Sequence, residues 1–207
     1  MLLTKPIRIG FLASHGGSSM RAILAAIGSG ALEAKGVLAI SNNADSPALE
    51  AAQAAGLATR HISAASAGGA EAADQAIAEA MQAAGAELIV LSGYLRKLGP
   101  ETLGRYRGRV LNIHPGLLPR YGGQGMYGRR VHEAVRAAGD AVTGATVHVV
   151  DADYDTGPIL AQREVPIHSD DTAEDMERRV MAAEPGLFVE TLVRLAKGGL
   201  ALPDPGP

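Results

Sequence analysis

Apolar positions fall into two rhythms along this chain. Short, nearly continuous apolar runs occur at residues 7–13, 37–40, 87–91 and 109–113. Their length and their Val/Ile/Leu content predict strands buried on both faces. Between them, residues 20–27, 48–55 and 70–84 carry apolar side chains at helical spacing, and Gly56 and Gly85 close the second and third of these stretches. A short helical piece follows Pro100, and another helix covers about 130–138. Two β runs, 143–150 and 159–166, then follow each other with no helix between them. A long helix from about Thr172 to Lys197 ends the pattern, with Asp171-Thr172 and nearby Glu174 and Asp175 giving it a capped start.

Strands alternating with helices predict an α/β fold: a Rossmann-like, mainly parallel central sheet with helices on both faces and an antiparallel C-terminal addition. One domain is expected over residues 1–202. The proline-rich end, Pro203 to Pro207, is expected to be a disordered tail.

Composition narrows the function. At 207 residues and 47% hydrophobic the chain can bury one sizeable core. Nineteen Lys and Arg against 22 Asp and Glu leave no basic footprint, so no nucleic-acid partner is expected. The absence of cysteine removes disulfides, thiolate catalysis and cysteine-based zinc sites. The first residues lack the long apolar core of a signal peptide, and no apolar run reaches the roughly 18 residues of a membrane span. A cytoplasmic protein with no membrane partner is the expectation.

Candidate chemistry collects just after the strands, where ligands bind in open sheets of this class. Gly16-Gly17-Ser18-Ser19 leads from the first strand into a helix. Free N–H groups at a helix start favour an anion, although a plain serine-capped turn fits the same residues. The stretch matches neither a dinucleotide fingerprint nor a nucleoside-triphosphate loop.

Asn112 and His114 lie two apart in a strand, so they share a face, and Pro115-Gly116 end that strand. An amide donor beside a titratable imidazole suits a reaction that builds and discharges a tetrahedral oxyanion. A lone strand histidine is more often a packed residue, but its place at a strand end beside Asn112 favours chemistry. Asp151-Ala-Asp153-Tyr-Asp155-Thr-Gly157 fails as a calcium loop, because Thr156 and Gln162 stand where that loop needs Gly and Glu. Asp151 and Asp153 read as a solvated turn, whereas Asp155 can reach a histidine and set its tautomer and charge. His15, His61, His132, His148 and His168 read as ordinary residues, and no metal site is expected.

In order and spacing, these motifs together with Ser41-Asn42-Asn43-Ala44-Asp45 and Leu91-Ser-Gly-Tyr-Leu-Arg96 resemble the phosphoribosylglycinamide formyltransferase family, over about residues 7–200. That family transfers a formyl group from 10-formyltetrahydrofolate to the amino group of glycinamide ribonucleotide in purine synthesis. The resemblance implies Asn112, His114 and Asp155 as the catalytic trio. It implies Gly17, Ser18 and Ser19 around the ribonucleotide phosphate and Glu184 against the ribonucleotide. Leu95, Arg96 and Leu98 would form one wall of the folate pocket, and Val150, Asp151 and Asp155 the other, with Asn112 between. The folate is implied as a co-substrate, with no tightly bound cofactor, and the protein as a monomer or homodimer acting on small molecules.

Two stretches depart from the family pattern. Gly16 and Ser19 stand where asparagine is commoner. Residues 120–130 form a longer, glycine-rich loop that lacks a second histidine before His132, and this loop is expected to be a mobile cover. Related formyl-handling enzymes fit less well: a transfer-RNA formyltransferase would carry a further basic domain, a 10-formyltetrahydrofolate hydrolase an N-terminal regulatory one, and a sugar-nucleotide formyltransferase would lack this phosphate turn. A non-catalytic binding module would leave Asn112, His114 and Asp155 together without a use.

Overall fold

The computed structural model describes residue 3 and residues 5–203. Its strands are β1 (Ile7–Ala13), β2 (Ala34–Ser41), β3 (Thr59–His61), β4 (Leu88–Leu91), β5 (Val110–His114), β6 (Val142–Val149) and β7 (Ile159–Pro166). Its helices are α1 (Ser18–Gly28), α2 (Pro47–Ala54), α3 (Ala64–Ala67), α4 (Ala70–Ala83), α5 (Pro100–Arg105), α6 (Arg129–Ala138) and α7 (Ala173–Ala196). The strands form one sheet in the order β3-β2-β1-β4-β5-β6-β7. The first five are parallel, and β6 and β7 join antiparallel. The mainly parallel sheet with an antiparallel C-terminal addition is the architecture that the apolar pattern predicts.

Strand periodicity divides the core into two layers. In β1, Phe11 belongs to a core shared with α1, α2 and α7, while its neighbour Leu12 belongs to the opposite core shared with α4. Both side chains are fully buried, as are Ile9, Leu88, Ile89 and Val90. Burying each such side chain contributes roughly 1.5–3 kcal/mol, so the central strands need apolar residues on both faces.

The chain reverses its lateral direction between β1 and β4, and the strand ends there are tied together. Ser14 donates from Oγ to Asn42 Oδ1 (2.6 Å), and its backbone N–H donates to the Gly93 carbonyl (3.1 Å). Leu95 N–H donates to Ser14 Oγ at 2.8 Å, and Asn43 Nδ2 to the Ser14 carbonyl at 2.6 Å. The buried Asp74 carboxylate on α4 accepts from the backbone of Gly99, Glu101 and Thr102, which caps α5 and fixes the segment after β4.

Two elements and two boundaries differ from the sequence expectation. β3 and α3 were not foreseen, because three edge residues, Thr59, Arg60 and His61, carry no readable apolar period. β2 begins at Ala34, since Lys35 and Gly36 pair with Arg8 and Ile9 despite breaking the apolar run. α1 begins at Ser18, so Ser18 and Ser19 lie inside the helix. The capped start of α7 is present as a reciprocal box between Thr172 and Asp175. Within that helix Pro185 removes one backbone donor next to Glu184. The tail expected at 203–207 lies, from residue 204 on, outside the described residues.

Gly157 lets the β6–β7 loop lie against β6: a Cβ there would stand 1.9 Å from the Val149 carbonyl oxygen, which is backbone and cannot swing aside. Gly157→Ala is expected to lower stability by roughly 1–3 kcal/mol. Urea unfolding of the two proteins measures it, and an unchanged midpoint would show that the loop tolerates displacement.

Candidate active site

The antiparallel register of β5 against β6 builds the site. It sets Asn112 opposite His148 and His114 opposite Thr146. Asp155 reaches the same place from the β6–β7 loop, in the left-handed region at φ 59°. Its carboxylate lies between two imidazoles: Oδ2 is 3.4 Å from His114 Nδ1, and Oδ1 is 3.5 Å from His148 Nε2. Both histidines are buried, and the Asp155 side chain is only 11% exposed.

Hydrogen-bond partners fix the ring nitrogens. A carbonyl oxygen only accepts, so His148 Nδ1, 3.0 Å from the Val149 carbonyl, carries a proton. In neutral His148, Nε2 is then an acceptor, and it receives Asn112 Nδ2 at 3.1 Å. This holds the amide with its NH2 group turned to His148, and the second hydrogen on Nδ2 has no protein acceptor among the described residues. By the same reasoning His114 Nε2 donates to the Tyr121 carbonyl at 2.8 Å. Gly123 N–H donates to Asp155 Oδ2 at 3.0 Å, so the start of the 120–130 loop grips both members of the His114–Asp155 pair.

Burial dominates the electrostatics. It pushes the pKa of His114 below its ordinary value, against the opposing pull of Asp155 and the Tyr121 carbonyl. Burial lowers His148 and His132 in the same way. Asp155 is expected either to hold His114 cationic or to position the water that moves the proton; against the first of these, the low-dielectric surroundings outweigh the carboxylate and favour the neutral imidazole. Its Nε2–H is already engaged by Tyr121, so Asn112 is the side chain that keeps a free N–H here among the described residues.

The loop behind the site is locked by side chains of β6 and β7. Thr146 Oγ1 donates to the Gly116 carbonyl (2.6 Å) and accepts from Leu118 N–H (3.1 Å). Gln162 Nε2 donates to the Leu118 carbonyl at 2.9 Å.

The other expected residues lie around this centre. Gly17 is the residue before α1, with φ 60°, and Ser18 and Ser19 open the helix, Ser19 buried and Ser18 exposed. Ser92 Oγ already accepts from Met20 N–H, while the Ser18 and Ser19 amides have no acceptor among the described residues. Glu184 on α7 is half-buried without an ionic or hydrogen-bonded partner among the described residues, and burial pushes its pKa up to about 7.

The two expected folate walls face different cavities. Arg96 and Leu98 line one of about 580 Å³ with Asn42 and Tyr94, whereas Val150 and Asp151 line one of about 550 Å³ against α5. Leu95 is 58% exposed. Asp151 turns its carboxylate onto its own loop, accepting from Asp153 N–H and Thr156 Oγ1. Lys97, its ammonium 5.4 Å from the Tyr154 ring centre, links the two segments.

Sequence reasoning missed His148, which touches Asn112 and faces Asp155. The strand register would have revealed it, because His148 stands opposite Asn112 once β5 and β6 are paired. Tyr121, whose contribution is a backbone carbonyl, has no signature in side-chain chemistry. His132 is fully buried, with no hydrogen-bond partner on either ring nitrogen among the described residues.

Residues 7–192 match the family model described as formyl transferase, and the chain belongs to that family. Among its relatives is the phosphoribosylglycinamide formyltransferase of Mycobacterium tuberculosis, 39% identical over 198 residues, which cover 95% of this chain and 88% of that protein. The chloroplastic phosphoribosylglycinamide formyltransferase of Vigna unguiculata is 45% identical over 111 residues, covering 54% of this chain and 36% of the relative. A crystal structure of glycinamide ribonucleotide transformylase 1 from Symbiobacterium toebii superposes with a TM-score of 0.87 at 37% identity, covering 95% of this chain and 91% of that one. The chain spans 64% of the Arabidopsis thaliana relative and 20% of the bovine trifunctional purine biosynthetic protein, so it matches only part of some relatives.

Three histidines with lowered pKa values bind fewer protons in the folded protein than in the unfolded chain. Unfolding therefore takes up protons below about pH 6.5, and stability rises with pH through that range. Glu184, with its raised pKa, acts in the opposite sense between its unfolded value of 4.5 and about 7. The net slope is that of two groups, at most roughly 3 kcal/mol per pH unit. Urea midpoints at pH 5, 6 and 7 are expected to climb, and a flat profile would show that the histidines are not held neutral.

Proposed function

We propose that the protein transfers the formyl group of 10-formyltetrahydrofolate to the amino group of glycinamide ribonucleotide, giving formylglycinamide ribonucleotide and tetrahydrofolate in de novo purine synthesis. The observation that carries this reading is the convergence of a free Asn112 N–H with the His114–Asp155 pair, in a chain of the formyl transferase family. Bacterial relatives named for this activity, of which this chain covers 88% and 91%, support it.

The neutral amine attacks the formyl carbon, and the C=O electrons move onto oxygen. Asn112 donates its free Nδ2 hydrogen to that oxyanion. Neutral His114 presents the Nδ1 lone pair toward Asp155, so a proton arriving from the attacking nitrogen through water makes an imidazolium paired with the carboxylate. Collapse of the intermediate breaks the bond to the folate nitrogen, and the stored proton passes to that nitrogen. Holding both substrates in attack geometry supplies much of the remaining rate.

Gly17, Ser18 and Ser19 hold the ribonucleotide phosphate, with unpaired amides at the start of α1 as donors. Glu184 contacts the ribonucleotide. Leu95, Arg96 and Leu98 line one side of the folate and Val150, Asp151 and Asp155 the other, with Asn112 at its formyl end. The folate is a co-substrate and not a resident cofactor. The enzyme works on these small molecules in the cytoplasm as one catalytic unit over residues 1–202, monomer or homodimer, without a nucleic-acid or membrane partner.

A coupled assay with both substrates tests this. Removing one oxyanion donor costs roughly 2.7–4 kcal/mol of barrier, so Asn112→Ala is expected to lose about 10²–10³-fold in kcat, and His114→Ala a comparable factor. Asp155→Asn is the informative third variant, because asparagine tolerates the left-handed backbone and so keeps the loop. It is expected to fold normally and lose at least about 100-fold. Formate release that does not depend on the ribonucleotide would point instead to hydrolysis of the folate.

A further inference from the structure

Tyr121 joins the His114–Asp155 pair to a polar cluster outside the site. Its backbone is left-handed, at φ 57°, unusual for an aromatic residue. Its carbonyl accepts from His114 Nε2 at 2.8 Å, and two residues on, Gly123 N–H donates to Asp155 Oδ2 at 3.0 Å. Gly122 between them is packed so closely that a Cβ there would stand 2.5 Å from Leu118 Cδ2 and 3.1 Å from Asp155 Cβ. One short stretch of backbone thus takes the proton-bearing end of the imidazole and supports the carboxylate it faces.

The left-handed conformation must be held by something, and the phenol end shows what holds it. Tyr121 OH donates to Asp140 Oδ2 at 2.7 Å and accepts from Arg120 Nη2 at 2.8 Å. Arg120 Nη1 lies 3.1 Å from the same oxygen, Asp140 Oδ2, its Nη2 donates to Asp140 Oδ1 at 3.3 Å, and its guanidinium sits 4.9 Å from the Tyr121 ring centre. Asp140 stands just before β6, the strand that carries His148, so the anchor belongs to the rigid sheet.

We propose that Tyr121 and Asp140 are positioning residues: the phenol–carboxylate bond pins the 121–123 backbone, and that backbone sets the His114 tautomer and its alignment with Asp155. Neither residue touches the reacting atoms. The inference rests on the formyl-transfer reading for its kinetic consequence, but its structural consequence stands apart from activity.

The test has two readouts in the full-length protein. In ¹⁵N-labelled protein, long-range ¹H–¹⁵N NMR of His114 is expected to show protonated Nε2 and unprotonated Nδ1, and Tyr121→Phe is expected to give averaged tautomer shifts. In the formyl-transfer assay, Tyr121→Phe is expected to lower kcat about tenfold, with KM for both substrates within about twofold. Asp140→Ala should match it, and the double variant should be no slower than either single one, because both remove one bond. Asp140→Asn keeps an acceptor and should recover most of the rate. His114 resonances unmoved in Tyr121→Phe, or additive losses in the double variant, would overturn the inference. Wild-type protein that transfers no formyl group, yet shifts its His114 signals in Tyr121→Phe, would overturn the proposed function and leave the positioning intact.

Discussion

The Asp155 carboxylate, set between the buried rings of His114 and His148 at 3.4 and 3.5 Å, is the constraint around which the site is organised. Taking a carboxylate out of water costs several kcal/mol unless its oxygens find partners. Here Oδ2 accepts from Gly123 N–H, while the two oxygens face ring nitrogens of His114 and His148 that carry no proton until the ring is charged. These partners come from three separate stretches of chain, so the arrangement exists only when β5 and β6 are in register and both following loops are closed. The antiparallel end of the sheet, the close approach at Gly157 and the Thr146–Gln162 lock on residues 116–118 all serve that geometry.

Two opposing effects meet at His114, and their balance gives the site its chemistry. A nearby carboxylate favours the imidazolium, whereas removal from water favours the neutral ring, and the second effect is larger. A neutral ring can accept a proton during the reaction, and the carboxylate then stabilises the charge that forms. His148 plays a different part. Its proton is committed to the Val149 carbonyl, so its other nitrogen can only accept, and it orients Asn112 as a donor. Two buried histidines facing one carboxylate thus differ in role because their backbone partners take opposite ring nitrogens.

Much of this was legible in the sequence. The strand ends and the pairing of Asn112 with His114 follow from the apolar runs and a period of two, and Asp155 stands out by its Thr-Gly-Pro setting. What could not be read depends on tertiary geometry. His148 looks like any strand histidine until β6 is laid against β5, and Tyr121 contributes a carbonyl that every residue possesses. The charge of His114 cannot be read there, because a neighbouring carboxylate is visible in sequence terms while the degree of burial is not. β3 escaped because an edge of three residues needs no apolar pattern, only a neighbouring strand to pair with.

The chemistry of the site turns on the protonation of the buried histidines. Assigned ¹H–¹³C NMR titration of the histidine rings measures it directly. His114 and His148 are expected to titrate below the ordinary histidine value of about 6.5, with both rings neutral at pH 7. A His114 ring that is already cationic at pH 7 would contradict this, because the carboxylate would then outweigh burial and the imidazole would enter the reaction as an acid.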